Sequence, residues 1–295
     1  MLARHSSHDP HRGGHAKIDH VPVPPTRRLV LTGALGAGVA ALTGCGVRLE
    51  DDAPDIPFVP RREPIPGEIA LLAMLAALTS EEGELAHERA TILRTALLAA
   101  DVPEKELDAA DAPVSPAEVV AAHEGALREC GPGLLTLVGQ LSAVRIRADD
   151  ALWARPDPTA WALAEVAAAS LQATRATVYA LDFIAAQGGK RTGQRAEETL
   201  AVLRRLSVRQ TTAAGDAVSG VTLGYELDVE RLTPTAATRL ARRSLLRAVG
   251  VYSDTLARLS QDREGALETA HWMATVQGLA ESWGAKPTAL IGDEA

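Results

Sequence analysis

The sequence predicts an all-α protein built from one or two helical bundles, and three observations predict it. Apolar residues recur at helical spacing in segments too long and uniform for strands. Capping residues followed by proline mark helix starts at Ser115-Pro116 and Thr233-Pro234. The chain is 46% hydrophobic but only 3% aromatic, so its core is built from Ala, Leu and Val, which favours closely packed helices.

Taken in order, residues 67–79 are apolar nearly all round, through Ile69, Leu71, Leu72, Met74, Leu75 and Leu78, and predict a first helix. Ser80 is placed to cap a second, reaching about Ala100. Ser115-Pro116-Ala117-Glu118 sets a capping hydroxyl, a proline in the first turn and a glutamate three residues on, and so opens a third. Gly131-Pro132-Gly133 breaks that helix, and a fourth runs from Leu134 to Trp153. Asp157-Pro158 opens a fifth, to about Gln187, closed by Gly188-Gly189; a sixth runs from about Gln194 to Ser219. Thr233-Pro234 starts a seventh, to about Leu259, and Asp262 caps an eighth that ends at Trp283-Gly284. A boundary near Arg155-Pro156-Asp157-Pro158 divides these into an amino-terminal helical region, 67–155, and a carboxy-terminal four-helix bundle, 157–290; one merged bundle is the alternative.

The segment before the first helix carries an address. Thr26-Arg27-Arg28 leads into about 15 uncharged residues and then Leu42-Thr43-Gly44-Cys45, which are the charged, apolar and cleavage parts of an export signal. The run is shorter than the ~20 apolar residues of a spanning helix and is broken by Gly33, Gly36 and Gly38. It resembles a bacterial twin-arginine signal joined to a lipobox. That resemblance implies recognition of Arg27 and Arg28 by the export machinery, removal of residues 1–44, and acylation of Cys45. The mature chain is then expected at the outer face of the cytoplasmic membrane, held there by lipid. Residues 45–66, with Asp51, Asp52, Asp55 and five prolines, read as a semi-extended tether.

Composition excludes several classes. With Cys45 given to lipid, Cys130 is the only remaining thiol, so no intramolecular disulfide supports the fold. A net charge of -8 argues against a nucleic-acid partner, which would select a basic face. Only four residues are Lys against 26 Arg, a mark of a GC-rich genome. Five of the eight histidines (His5, His8, His11, His15 and His20) fall in the discarded leader rather than in a metal tract.

The carboxy-terminal half carries a second resemblance. Tyr179 within Leu171–Ala186, Leu203-Arg204-Arg205, Gly224-Tyr225-Glu226-Leu227, Arg239-Leu240-Ala241 and the closing Trp283-Gly284 before Pro287 resemble an actinobacterial family of ferritin-like domains of unknown function. The family implies an antiparallel four-helix bundle. Where its members show a Glu-His pair in the first helix and a His in the second, this chain has Gln172 to Arg175 and no histidine between Gln194 and Ser219. The fold carries over and the metal chemistry does not.

A ferritin-like di-iron site needs a Glu from each of two helices and a Glu-x-x-His from each of two others, all facing inward. The chain has two such spacings. At about 100° per residue, Glu84 and His87 fall opposite the stripe of Leu85, Ala86, Ile92, Leu93, Ala96 and Leu97, on the solvated face. Glu268 lies at the edge of the stripe Trp272, Val276, Leu279 and Trp283, with His271 about 100° from its centre. Glu268, His271 and Glu165 are therefore the metal candidates, and Asp254 is the one interior-type acid of the seventh helix. The set is incomplete, and no metal or other cofactor is expected.

No catalytic residue emerges. His123-Glu124 reads as a solvated pair, because neighbours on a helix point about 100° apart. Cys130 reads as a buried inert thiol, and Gly188-Gly189-Lys190-Arg191-Thr192-Gly193 as a turn lacking the Walker spacing. Trp153, Trp161, Trp272 and Trp283 read as plugs at helix ends, with an inter-domain cleft at the boundary as the alternative for Trp153 and Trp161, which flank it. The expected role is non-enzymatic: a lipid-anchored bundle binding a protein or a small apolar ligand. The alternative is a residual di-metal protein handling iron or manganese.

Overall fold

A computed structural model of the chain describes residues 62–291, apart from 219, 221, 223, 228 and 230. Arg27, Arg28, Cys45, most of the expected tether and Ser219 lie outside the described residues. Among those described there are nine α-helices and no strand, and the protein is all-α. The helices are α1 (Glu68–Ser80), α2 (Glu84–Ala99), α3 (Glu104–Ala109), α4 (Pro116–Glu129), α5 (Pro132–Ala148), α6 (Ala164–Gln187), α7 (Gly189–Ala214), α8 (Pro234–Leu256) and α9 (Arg263–Ser282). None is long and apolar enough to cross a membrane.

Three helix starts follow from their caps. Ser115 Oγ accepts from the Glu118 amide at 3.3 Å while the Glu118 carboxylate accepts from the Val114 amide at 2.7 Å. Thr233 Oγ1 accepts from the Ala236 amide, and Asp262 Oδ1 from the Gly265 amide at 2.9 Å. These side chains satisfy amides that a helix start leaves unpaired.

Several boundaries differ from the expected ones, α5 among them, which ends at Ala148 rather than Trp153. Ser80 ends α1, its hydroxyl turned back to the Ala77 carbonyl, and α2 begins after Gly83. Helix α3 was not expected, because six residues with one buried leucine, Leu107, are too short to show a period. Helix α6 begins at Ala164 rather than Asp157, since Pro156 and Pro158 bias the residues before them away from helix. The segment instead straps across α7: the Trp161 amide donates to the Ala213 carbonyl at 2.9 Å, and the Pro156 carbonyl accepts from Arg209 at 2.6 Å. Helix α7 in turn starts at Gly189, so the phosphate-loop lookalike is its first turn.

Helices α6 and α7 form an antiparallel hairpin with Gly188 alone between them, and Gly189 turns the chain at φ +72°. The pair approaches closely at Gly193, where a Cβ would stand 2.9 Å from the Ala185 carbonyl oxygen. Helix α8 packs on α6 and α9, α9 also packs on α5 and α4, and α1 sits against α4 and α2. One apolar cluster runs from Leu71 of α1 to Ile291, so the described residues share a single core across the proline-rich strap. Helix α9 lies at its centre and is buried without interruption from Gly265 to Ala274.

Gly139 of α5 measures how tightly that core is packed. A methyl group there would meet Leu256 Cδ1 at 2.5 Å. Gly139→Ala is expected to cost about 1–3 kcal/mol through overpacking, despite alanine's better helix propensity. A urea melt showing a gain in stability would contradict the packing described.

Candidate functional site

The metal candidates do not assemble. Glu165, on the first turn of α6, is exposed and accepts from Arg258 at 3.2 Å. Asp254, read from sequence as an interior acid, is exposed. Glu84 and His87 are exposed on α2, on the face the periodicity gave them. Among the described residues no group of three or more His, Cys, Asp or Glu lies together as a metal site. Glu268 and His271 are nonetheless both buried, 5% and 2% exposed, one turn apart on α9.

Glu268 is a neutralised acid. Arg209 of α7 grips it two-pronged, Nε to Oε1 at 2.6 Å and Nη2 to Oε2 at 3.0 Å, and Trp272 Nε1 donates to Oε1 at 2.8 Å. Forked guanidinium-carboxylate contacts are the strong form of the pair. The carboxylate holds Arg209 above the ordinary arginine pKa by that hydrogen bond, against the opposing effect of burial. The same contact ties α7 to α9 and, through the Pro156 carbonyl, to the strap. Trp272 is thereby fixed, and Trp161 of the strap stacks on it with centroids 4.8 Å apart and planes 8° from parallel.

His271 is different, because neither buried ring nitrogen makes a hydrogen bond of normal geometry, the Ala154 backbone being its one hydrogen-bonding neighbour. The Asp150 carboxylate is 3.8 Å from Nδ1, beyond hydrogen-bond distance, and is itself held by Arg155 at 3.0 and 3.1 Å. Burial, then the Arg155 guanidinium, keep the imidazole pKa below its ordinary value. Behind it stands Trp153, edge-on to His271 at 6.2 Å and to His123 of α4 at 6.0 Å. His123 is fully buried, a correction to the solvated pair expected with Glu124. Its Nδ1 lies 3.1 Å from Ser142 Oγ, its Nε2 is unpartnered, and burial assisted by Arg145 lowers its pKa to about 3. Trp153 Nε1 is unpartnered too. Buried polar atoms without partners are uncommon in folded proteins. Here four that lack a bond of normal geometry sit on three neighbouring rings.

This side of α9 opens on a cavity of about 430 Å³ between α7, α9 and the strap. Arg155, Arg205, Arg209 and Glu268 supply its charge, Trp272 and Leu206 its apolar wall, and His271 and Thr275 its polar wall. Trp272 also meets Tyr252 edge-on at 6.2 Å. From there a buried network runs into the core of α6, α7 and α8: Tyr252 pairs with Thr174 Oγ1, and Thr174 bonds Gln210 Oε1 at 2.6 Å. The core between the last four helices is therefore polar at its middle. Arg209 Nε, Glu268 and Trp272 link that middle to the cavity wall.

Sequence spacing could have found His123, since Val120, His123 and Leu127 form one apolar stripe on α4. It could not have found Arg205 and Arg209, which lie beside the stripe of Leu203, Leu206 and Gln210 and meet the cavity only in the folded chain, Arg209 through the strap. Neither Trp153 nor Trp161 lines the cavity; each reaches its wall only through a ring contact, Trp153 with His271 and Trp161 with Trp272. Cys130 is buried, its carbonyl accepts from Arg263 at 2.9 Å, and burial raises its thiol pKa, so it is not poised as a nucleophile. No family model, curated protein or solved structure matches the chain.

Proposed function

We propose that the protein is a lipid-anchored, extracytoplasmic binding protein whose helical bundle holds a small ligand with an aromatic or apolar body and an anionic group. The observation that carries this reading is a 430 Å³ cavity beside the buried His271 whose lining joins Arg205, with no ion pair among the described residues, to the paired Arg209, Glu268 and Arg155 and to Trp272. A cavity of that size with an apolar wall and a few convergent polar groups is the usual form of a small-ligand site. The Arg205 guanidinium attracts the anion, and the indole takes the flat body. Nothing in that arrangement requires a bond to be made or broken. Anchoring rests on Arg27, Arg28 and the lipobox ending at Cys45, and the ferritin-like kinship on the motifs of α6 to α9.

The test uses the full chain and 1-anilinonaphthalene-8-sulfonate, an aromatic sulfonate, as the probe. Saturable binding is expected, at least tenfold weaker in Arg205→Glu and in Thr275→Trp, which fills the cavity. Binding that neither change affects would place the ligand elsewhere. Stoichiometric iron or manganese in the purified protein would instead favour the di-metal alternative built on Glu268 and His271. Mass analysis of the membrane-bound form is expected to show an acylated amino terminus at Cys45, and Cys45→Ala to release the chain.

A further inference from the structure

The described surface holds a second concentration of charge, on the face of α8 away from the core. Arg239, Arg242, Arg243 and Arg247 recur at spacings of three, four and eight residues, which puts them on one side of the helix. The opposite side, Ala237, Ala241, Leu245, Ala248 and Tyr252, is buried. The chain leaving α9 turns at Gly284, φ +88°, and brings Lys286 to the same place. The result is a groove of about 660 Å³ lined, among the described residues, by these five cations with Leu246 and Gly284 and by no acidic side chain. In a chain of net charge -8, this is a local inversion of sign.

The fold accounts for the arrangement only in part, since Arg242 and Arg243 have partners of their own. Cations often gather at a helix carboxy terminus to meet its unpaired carbonyls. At the end of α9, however, the carbonyls of Leu279, Ala280 and Glu281 are already met by the amides of Trp283, Gly284 and Ala285. Only Arg242 serves that purpose, donating to the Gly284 carbonyl at 3.2 Å, which holds it half-buried against the wall. Arg239, Arg243 and Arg247 stay exposed, and neither Arg239 nor Arg247 is ion-paired among the described residues. Like charges three and four residues apart on a helix repel, so the stripe lowers the stability of the free protein. An anion in the groove would remove that repulsion.

We infer that the α8 groove binds a phosphate-bearing anion. Guanidinium forks match the oxygens of a phosphate two at a time, and several converging on one groove suit a multiply charged group better than a single carboxylate. The volume exceeds that of one inorganic ion, so the ligand carries more than one phosphate or an organic body, which Leu246 contacts. A soluble phosphate compound and the headgroup of an anionic phospholipid share this chemistry. The inference is independent of the α7–α9 cavity, from which the groove shares no lining residue.

The two sources are separated with the full chain carrying Cys45→Ala, so that no acyl group contributes. One arm titrates pyrophosphate by calorimetry at low salt. The other floats vesicles of phosphatidylglycerol in phosphatidylcholine against vesicles of phosphatidylcholine alone. Binding in at least one arm is expected, weakened at least tenfold by Arg239→Gln with Arg247→Gln and reduced by added salt. The charge-matched pair Lys190→Gln and Arg191→Gln, exposed at the start of α7, is expected to leave it unchanged. Pyrophosphate binding lost in the α8 variant identifies a soluble ligand; anionic-vesicle binding lost without pyrophosphate binding identifies a headgroup. Absence of binding in both arms, or equal loss in the α7 control, overturns the site. Both α8 residues are exposed, and helical circular dichroism verifies that the variant folds.

Discussion

Arg209→Met is expected to destabilise the chain by about 3 kcal/mol, the largest loss among the single substitutions discussed. The methionine keeps most of the apolar stem but removes both prongs on Glu268 and the donor to the Pro156 carbonyl. Glu268 is 5% exposed, so its carboxylate would remain in the core with the Trp272 indole as its one remaining hydrogen-bond donor. Removing one partner of a buried pair costs about 3–5 kcal/mol, because the surviving charge has lost both its water and its counterion. The lower end applies, since Arg209 is itself about one quarter exposed, at 27%. Adding Glu268→Gln to Arg209→Met is expected to recover a good part of the loss. A glutamine carbonyl can still accept from Trp272 Nε1, and no charge is then stranded. Urea melts followed by helical circular dichroism give both values. A single variant within 1 kcal/mol of the parent, or a double variant no better than the single, would show that the pair does not hold the strap, α7 and α9 together.

The same residues show what the sequence could and could not reveal. Helix existence was legible wherever a cap, a proline and a long apolar stripe agreed, as at Ser115-Pro116 and Thr233-Pro234, because those signals are local. Helix α3 was not, having one buried residue to report. The start of α6 was misplaced because Asp157-Pro158 has the form of a cap while its backbone is committed to α7, a tertiary fact. Helix α9 misled the stripe argument for a related reason. A helix surrounded by α4, α5, α7 and α8 is buried on every side, so no single stripe describes it, and His271 could be central without lying on one. The cavity was least legible, since its arginines come from α7 and the strap and its histidine from α9. Nothing in linear spacing announces such a meeting.

The second large effect is expected in acid. His123 has a folded-state pKa of about 3 against an ordinary value of 6.5. Between those values the unfolded chain takes up a proton that the folded chain excludes. Stability attributable to this group is therefore complete above pH 6.5 and declines by about 1.4 kcal/mol for each unit below it, until the folded ring titrates. His271 is shifted in the same direction and adds to the slope. The groups facing the two rings set these directions. Burial disfavours the charged form of each, Arg145 opposes a charge on His123, and Arg155 opposes one on His271 against the weaker attraction of Glu268, Asp150 and the Ala154 backbone. Glu68, whose carboxyl is held below its ordinary 4.5 by Arg62, loses its contribution only at lower pH. The range from about pH 6.5 to pH 5 thus isolates the histidines. Over it His123 is expected to cost roughly 2 kcal/mol. His123→Gln keeps a polar group beside Ser142 and is expected to remove that share of the slope, and His271→Gln in addition to flatten it further. Should the parent and both variants lose stability equally between those two pH values, the buried rings would not be the groups that sense the acid, and the neutral His271 beside the cavity would lose its main physical support.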